Sequence, residues 1–189
     1  KTDKTELRVA VGRDSRLSGP QLCTWICEAM VSQGLEVTDF GMASTPAMFM
    51  ATVTEGYAFD GSVMITASHN TKEWNGCKLC RAGAVPISGA TGIKDIEKLV
   101  GEMTGNEPPT GVGSVTKVDI AAQSAEHVRK FAHLARPVHV AMDFANGMGI
   151  AESCAFEGQS ELTHDDLYGE YDGDFPNHDA NPLHVETLK

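Results

Sequence analysis

Three short apolar stretches, at 7–11, 36–40 and 60–66, are separated by segments whose apolar residues recur at helical spacing. Leu7 to Val11 reads as a strand. Ser18-Gly19-Pro20 then opens a helix with proline in its first turn, and Leu22, Ile26, Ala29 and Met30 line one side of it as far as Gly34. Glu36 to Phe40 is a second strand, Ser44-Thr45-Pro46 opens a second helix running to Thr54, and Asp60 to Thr66 is a third strand. An amphipathic helix between consecutive strands leaves room for one arrangement above others. The strands lie mostly parallel and the helices cover the sheet. The fold class expected is therefore α/β, a mostly parallel mixed sheet with helices on both faces.

Beyond the third strand, Asn75-Gly76 marks a turn and Cys77 to Cys80 adds a further strand. Ile93 to Met103 reads as a helix with Ile93, Ile96, Leu99 and Val100 on one face. Thr104 to Gly113 is rich in glycine and proline and reads as an exposed loop or linker. Asp119 caps a helix reaching Leu134, Val138 to Met142 is a strand, and Asn146-Gly147 turns into a short helix. A boundary at Ala135 to Pro137 divides the chain into a first domain, 1–135, and a second, 136–189. At about 50 residues the second is too short for a complete α/β domain, so it is expected to be an incomplete one.

The net charge of the 189-residue chain is −11, which argues against nucleic acid or an anionic membrane as a partner. Its apolar runs are too short to span a bilayer, and Lys1 to Glu6 lack the apolar core of a signal peptide, so the expected location is cytoplasmic. Five cysteines without an export signal are expected to be reduced thiols. Cys77-x-x-Cys80 lies on a strand, where the two side chains point to opposite faces, and no second Cys/His pair follows it, so a zinc or redox site is not expected. Cys23 and Cys27, one helical turn apart, are expected to face the core, with Met42, Met48, Met50, Met64 and Met142 as core filling.

The polar run Thr66-Ala67-Ser68-His69-Asn70, followed by Asn75-Gly76-Cys77-Lys78, sits where the third strand ends. The ends of strands are where α/β sheets present chemistry. A serine there is exposed on a rigid element, and a lysine that returns after the Asn-Gly turn can face it. The pair suits a serine that carries or accepts a phosphoryl group beside a cation that steadies the charge. Between Ser68 and Arg81 the charged residues are Lys72, Glu73, Lys78 and Arg81, and Arg13 and Arg16 add cations on the first turn. An acidic chain with basic loops is consistent with a small anionic ligand.

Four segments carry a resemblance. Thr66 to Lys78 resembles the active-site loop of the α-D-phosphohexomutases, the phosphomannomutase/phosphoglucomutase superfamily. Val11 to Gly19 (VGRDSRLSG) resembles its first-domain turn, Asp143 to Gly149 (DFANGMG) the turn that opens its second domain, and Asp172 to Pro182 (DGDFPNHDANP) a second-domain loop. The four occur in the family's order. Thr71 stands where the family usually has proline, Trp74 where it has tyrosine, and Cys77 where it has a larger apolar residue.

The resemblance implies an enzyme that moves phosphate between the 1- and 6-positions of a hexose phosphate, mannose or glucose, through a phosphoserine and a bisphosphate intermediate. Ser68 would be the nucleophile and, through its phosphate, the one magnesium contact in this sequence. Lys78 would stabilise charge, and His69 would join them as a catalytic residue. Asn70 and Arg13 would contact substrate, although Arg13 and Arg16 are equally suited to pairing with carboxylates that hold the turn. Magnesium and a hexose 1,6-bisphosphate activator are the implied cofactors. The family carries four domains. Its aspartate-rich magnesium loop would follow Lys189 and its tyrosine- and arginine-bearing first strand would precede Lys1, so the chain reads as an N-terminal fragment, inactive alone. Asp172, Asp174 and Asp179 surround His178 in the manner of a metal cluster, but such a turn is more commonly architecture. The alternative is a non-catalytic relative, an interaction module in which Ser68 is only a phosphosite.

Overall fold

The computed structural model describes residues 6–105 and 107–188, so the amino-terminal reading lies largely outside the described residues. The first unit comprises β1 (Arg8–Arg13), α1 (Gly19–Ser32), β2 (Glu36–Met42), α2 (Thr45–Met50), β3 (Gly61–Ile65), β4 (Cys77–Arg81), β5 (Val85–Pro86), α3 (Lys94–Glu102) and β6 (Ser114–Lys117). Its sheet has six strands in the order β5-β4-β3-β1-β2-β6. β3, β1, β2 and β6 run parallel, while β4 and β5 pair antiparallel at one edge. The fold is α/β with helices on both faces, as the alternation of elements predicts.

Alternation along the strands sends side chains to opposite faces. Val9, Val11, Val37, Val63 and Ile65 pack with Cys23 and Cys27 of α1 on one face. Ala10, Phe40 and Met64 pack with Ala47 and Met48 of α2 on the other. Phe40 meets Tyr57 and Phe59 edge-on, with ring centroids 5.8 Å apart in each case. Gly12 leaves room for this layer: a Cβ there would lie 2.5 Å from Met48 Sδ. Met48 and Met64 fill the core as expected, whereas Met42 is 40% exposed at the end of β2.

Several boundaries differ from the sequence reading for identifiable reasons. α2 stops at Met50 instead of reaching Thr54, because the hydroxyls of Thr52 and Thr54 bond back to the carbonyls of Phe49 and Met50. The sequence pattern does not predict β6. It is a four-residue edge strand, exposed throughout, with no period to read. The loop before it is pinned to the end of α1, Thr110 N donating to Ser32 O at 3.0 Å and Gly113 N to Val31 O at 3.0 Å. α3 forms as expected, but Leu99 and Val100 are each 60% exposed, and the described residues leave its apolar side uncovered.

The second unit comprises α4 (Ala121–Arg129), β7 (Val138–Asp143), α5 (Gly149–Ser153), β8 (Leu162–Leu167) and 3-10 turns at Cys154–Phe156 and Val185–Leu188. α4 precedes the boundary expected at 135 but packs against α5 and the turn after it. β7 and β8 form a two-stranded parallel sheet. α4 ends five residues short of Leu134. Arg129 turns back there, donating from Nη2 to Cys154 O at 2.7 Å and from Nε to Ala155 O at 3.1 Å. Polar contacts tie this unit to the first. The Glu152 carboxylate accepts from Ser44 Oγ, which caps α2, and from Ser124 Oγ of α4.

Candidate functional site

β1 and β3 end side by side, with Asp14 N donating to Ile65 O at 3.0 Å. Past Ile65 the chain leaves the sheet for the 66–76 loop, and Thr66 N bonds Gly76 O at 2.8 Å where the loop closes. In the β3–β4 ladder Lys78 stands opposite Met64, so it shares the face that α2 covers. This geometry brings the two residues together: Lys78 Nζ lies 3.5 Å from Ser68 Oγ, the hydroxyl exposed and the lysine half-buried. They line a cleft of about 370 Å³ with Asp14, Ser15, Thr45, Thr66 and His69 on the first unit and Phe144, Met148, Phe175 and Pro182 on the second.

Ser68 has φ +58°, the left-handed conformation that costs a non-glycine residue on the order of 1–3 kcal/mol. Its amide donates to Thr66 Oγ1 at 2.9 Å, and Thr66 Oγ1 donates to Asp14 Oδ2 at 2.6 Å. Asp14 also accepts the Arg16 Nε proton at 3.0 Å, with the arginine side chain wholly enclosed. The remaining Arg16 donors reach the carbonyls of Ser68, Asn70, Thr71 and Trp74. Thr71, lacking the family's proline ring, is thus held through its carbonyl.

The expected residues separate into groups. Ser68, Lys78 and His69 line one cleft. Asn70 contributes its carbonyl to Arg16 while its side chain is exposed. Arg13 is not brought to the serine. It donates to the Asp14 carbonyl at 3.2 Å and lines a separate hollow between α1, β2 and β6, because alternation along β1 turns it away from the α2 face. Of the two arginines it is Arg16 that sequence reasoning undervalued. The signal available was its place two residues after Asp14, a spacing that suits a buried ion pair across a tight turn.

On the second unit, His178 Nε2 bonds the Asp143 carboxylate at 3.0 Å and Nδ1 the Asp179 carbonyl at 2.8 Å. The Asp179 carbonyl raises its pKa above the ordinary 6.5; burial opposes the rise, and the Asp143 carboxylate adds to it. It joins the end of β7 to the 172–182 loop, an architectural role. The loop in turn meets the serine side: Lys72 pairs with Asp174 at 2.9 Å, and Phe175 covers the Arg16 guanidinium at 5.2 Å. Cys77 is exposed and Cys80 buried, the opposite-face arrangement expected of a strand.

No group of three or more His, Cys, Asp or Glu able to hold a metal gathers among the described residues. Magnesium takes oxygen ligands, typically one or two carboxylates with phosphate oxygens. In the cleft the Asp14 carboxylate is already occupied by Arg16 and Thr66, so the serine oxygen, or a phosphate upon it, is the contact these residues offer. None of the described helices is long and apolar enough to cross a membrane.

Fold and cleft define an α/β domain that presents a serine–lysine pair at the margin of a largely parallel sheet. The family model "Phosphoglucomutase/phosphomannomutase, alpha/beta/alpha domain I" matches residues 1–106, more than half of the chain. The chain belongs to the phosphoglucomutase/phosphomannomutase family. It is 36% identical to a phosphoglucomutase of Neisseria gonorrhoeae, covering 99% of this chain and 40% of that protein. It is 38% identical to a phosphomannomutase/phosphoglucomutase of Pseudomonas aeruginosa, covering 96% of this chain and 38% of that one. A crystal structure of a family protein from Burkholderia thailandensis superposes with a TM-score of 0.81 at 30% identity, over 96% of this chain and 40% of that chain. The chain thus spans about 40% of the length of these relatives.

Proposed function

We propose that this chain is the serine-bearing portion of a phosphohexomutase that interconverts hexose 1- and 6-phosphates of glucose or mannose, with Ser68 as the phosphoryl carrier. The observation that carries this reading is Lys78 Nζ at 3.5 Å from an exposed Ser68 Oγ, on a loop held from beneath. In the forward half-reaction a sugar hydroxyl oxygen bonds to phosphorus as the bond from phosphorus to Ser68 Oγ breaks. The proton given up by the sugar is taken by the serine oxygen, and the Lys78 ammonium offsets the charge that develops between them. The reverse transfer from the other end of the bisphosphate restores the phosphoserine. His69 borders the same cleft and is assigned a hydrogen bond to the phosphoryl group. Magnesium, where bound, would neutralise charge on the phosphoryl oxygens carried by Ser68. A hexose 1,6-bisphosphate would load the serine, and location in the cytoplasm follows from where such sugar phosphates occur.

The test is turnover of glucose 1-phosphate and mannose 1-phosphate by the full-length gene product, primed with glucose 1,6-bisphosphate. Conversion by the wild type and its loss in Ser68→Ala are expected. An active Ser68→Ala protein would refute the assignment, and a wild-type protein inert towards both sugars would favour the non-catalytic relative.

A further inference from the structure

The densest polar cluster near the serine lies beneath it. Arg16 is 0% exposed. A guanidinium has five N–H donors, and here every one is used. Nε meets Asp14 Oδ2 at 3.0 Å, Nη1 meets the carbonyls of Thr71 at 2.7 Å and Trp74 at 3.0 Å, and Nη2 those of Ser68 at 3.1 Å and Asn70 at 2.8 Å. All four carbonyls belong to the loop that carries the serine. Within itself, residues 67–74 of this loop make the backbone bonds Asn70 N to Ala67 O and Trp74 N to Thr71 O, at 3.1 Å each. Its shape is therefore set mainly from its centre, by Arg16.

A non-glycine residue keeps a left-handed backbone only where its surroundings over-determine it. Ser68 is held on both sides, its amide by Thr66 Oγ1 and its carbonyl by Arg16 Nη2. With all donors engaged and the Phe175 ring 5.2 Å from its centre, Arg16 has nothing left to offer a substrate phosphate. We infer that Arg16 is the positioning residue of the Ser68 site, fixing the serine backbone through four loop carbonyls so that Oγ faces the cleft and Lys78. The inference rests on the mutase reading and adds to it a residue that acts through the loop, never touching the sugar.

Arg16→Lys in the full-length protein tests it. Lysine keeps the charge but brings a compact ammonium in place of the planar fork, so the loop loses most of its bonds. Misplacing a reacting group by about 1 Å costs roughly 10²-fold in rate. The expected result is a fall in kcat of about that size per folded molecule, with KM within about threefold of wild type and faster exchange of the Asn70 and Trp74 amides. A merely structural role would reduce the folded fraction and leave kcat per folded molecule unchanged, and that result overturns the inference. Ser68→Ala run in parallel separates the two levels. An inactive Ser68→Ala beside a fully active Arg16→Lys defeats this inference alone, whereas an active Ser68→Ala defeats the mutase reading. Should Arg16→Lys fail to fold, nitrogen-edited proton NMR of the wild type decides. Separate, slowly exchanging Arg16 η protons support the clamp, and a single averaged η line refutes it.

Discussion

β1 and β7 are both six-residue strands in parallel register with a neighbour, yet Ala10 and Val11 in β1 are 0% exposed while β7 alternates half-buried and exposed residues along its length. The difference lies in what covers them. β1 is central, with α1 packed on one face and α2 on the other. β7 has one partner strand, and among the described residues the only apolar side chains its unit buries are the small ones of Ala125 and Ala155. What the second unit lacks in core it makes up in polar ties to the first: Glu152 to Ser44, Ser15 Oγ to the Asn146 carbonyl at 3.3 Å, and Asp174 to Lys72. A self-sufficient layer can hold a strained serine. A tethered one is suited to shaping the other wall of the cleft.

The largest expected effect tests the first half of that contrast. Arg16→Ala leaves the Asp14 carboxylate and four loop carbonyls without their buried partner, a loss of about 3–5 kcal/mol in unfolding free energy by urea titration. Arg129→Ala removes two charge-assisted bonds made by an exposed side chain of the second unit and should cost about 0.5–1.5 kcal/mol. Equal losses would erase the distinction between the units.

Gly173→Ala breaks the tie itself. A Cβ there would stand 2.5 Å from the Ser15 carbonyl oxygen and 2.9 Å from Leu17 N, both backbone atoms that cannot swing aside. The 172–175 segment must withdraw, at a cost of about 1–3 kcal/mol. Amide exchange should quicken from Asp172 to Phe175 and stay unchanged in β1 and β3. Unaltered exchange in that segment would mean that the loop is not seated as described.

The same contrast explains what the sequence made legible. Period and punctuation predict β1, α1, β2 and β3 because each buries a continuous apolar side, as Val9, Val11, Val37 and Val63 do. The Ser68–Lys78 pairing follows from a strand end and the return of β4 beside it, although the chain turns at Ser68–His69 and Lys72–Glu73, and Asn75-Gly76, expected to turn, leads straight into β4. β6 and β8 escaped because their residues are mostly exposed and their pairing is decided by chain segments distant in sequence. Arg16 escaped for a different reason. Apart from Asp14, its partners are backbone carbonyls, which carry no sequence signal, so only the Asp14 spacing separates a structural arginine from a phosphate-binding one. Arg13 illustrates the converse, a cation in the right motif aimed into another hollow.

A smaller effect comes from pH. His178 is bonded through both nitrogens to acceptors, and its folded-state pKa lies above the ordinary 6.5. The stabilisation is fully present below the unfolded-state value and is lost as pH rises through the raised folded-state value. The stability difference between wild type and His178→Gln should thus be greatest in mild acid and shrink on titration above it. A difference that grows with pH would show that the imidazolium is not the bonded form.

The central claim is that Ser68 Oγ, steadied by Lys78, carries the phosphoryl group. Peptide mapping by mass spectrometry of the full-length protein after exposure to glucose 1,6-bisphosphate measures this most directly. The account predicts one added phosphoryl group on Ser68, removed on addition of a hexose monophosphate and diminished in Lys78→Ala. A phosphoryl group on another residue, or catalytic turnover with Ser68 never modified, would contradict it.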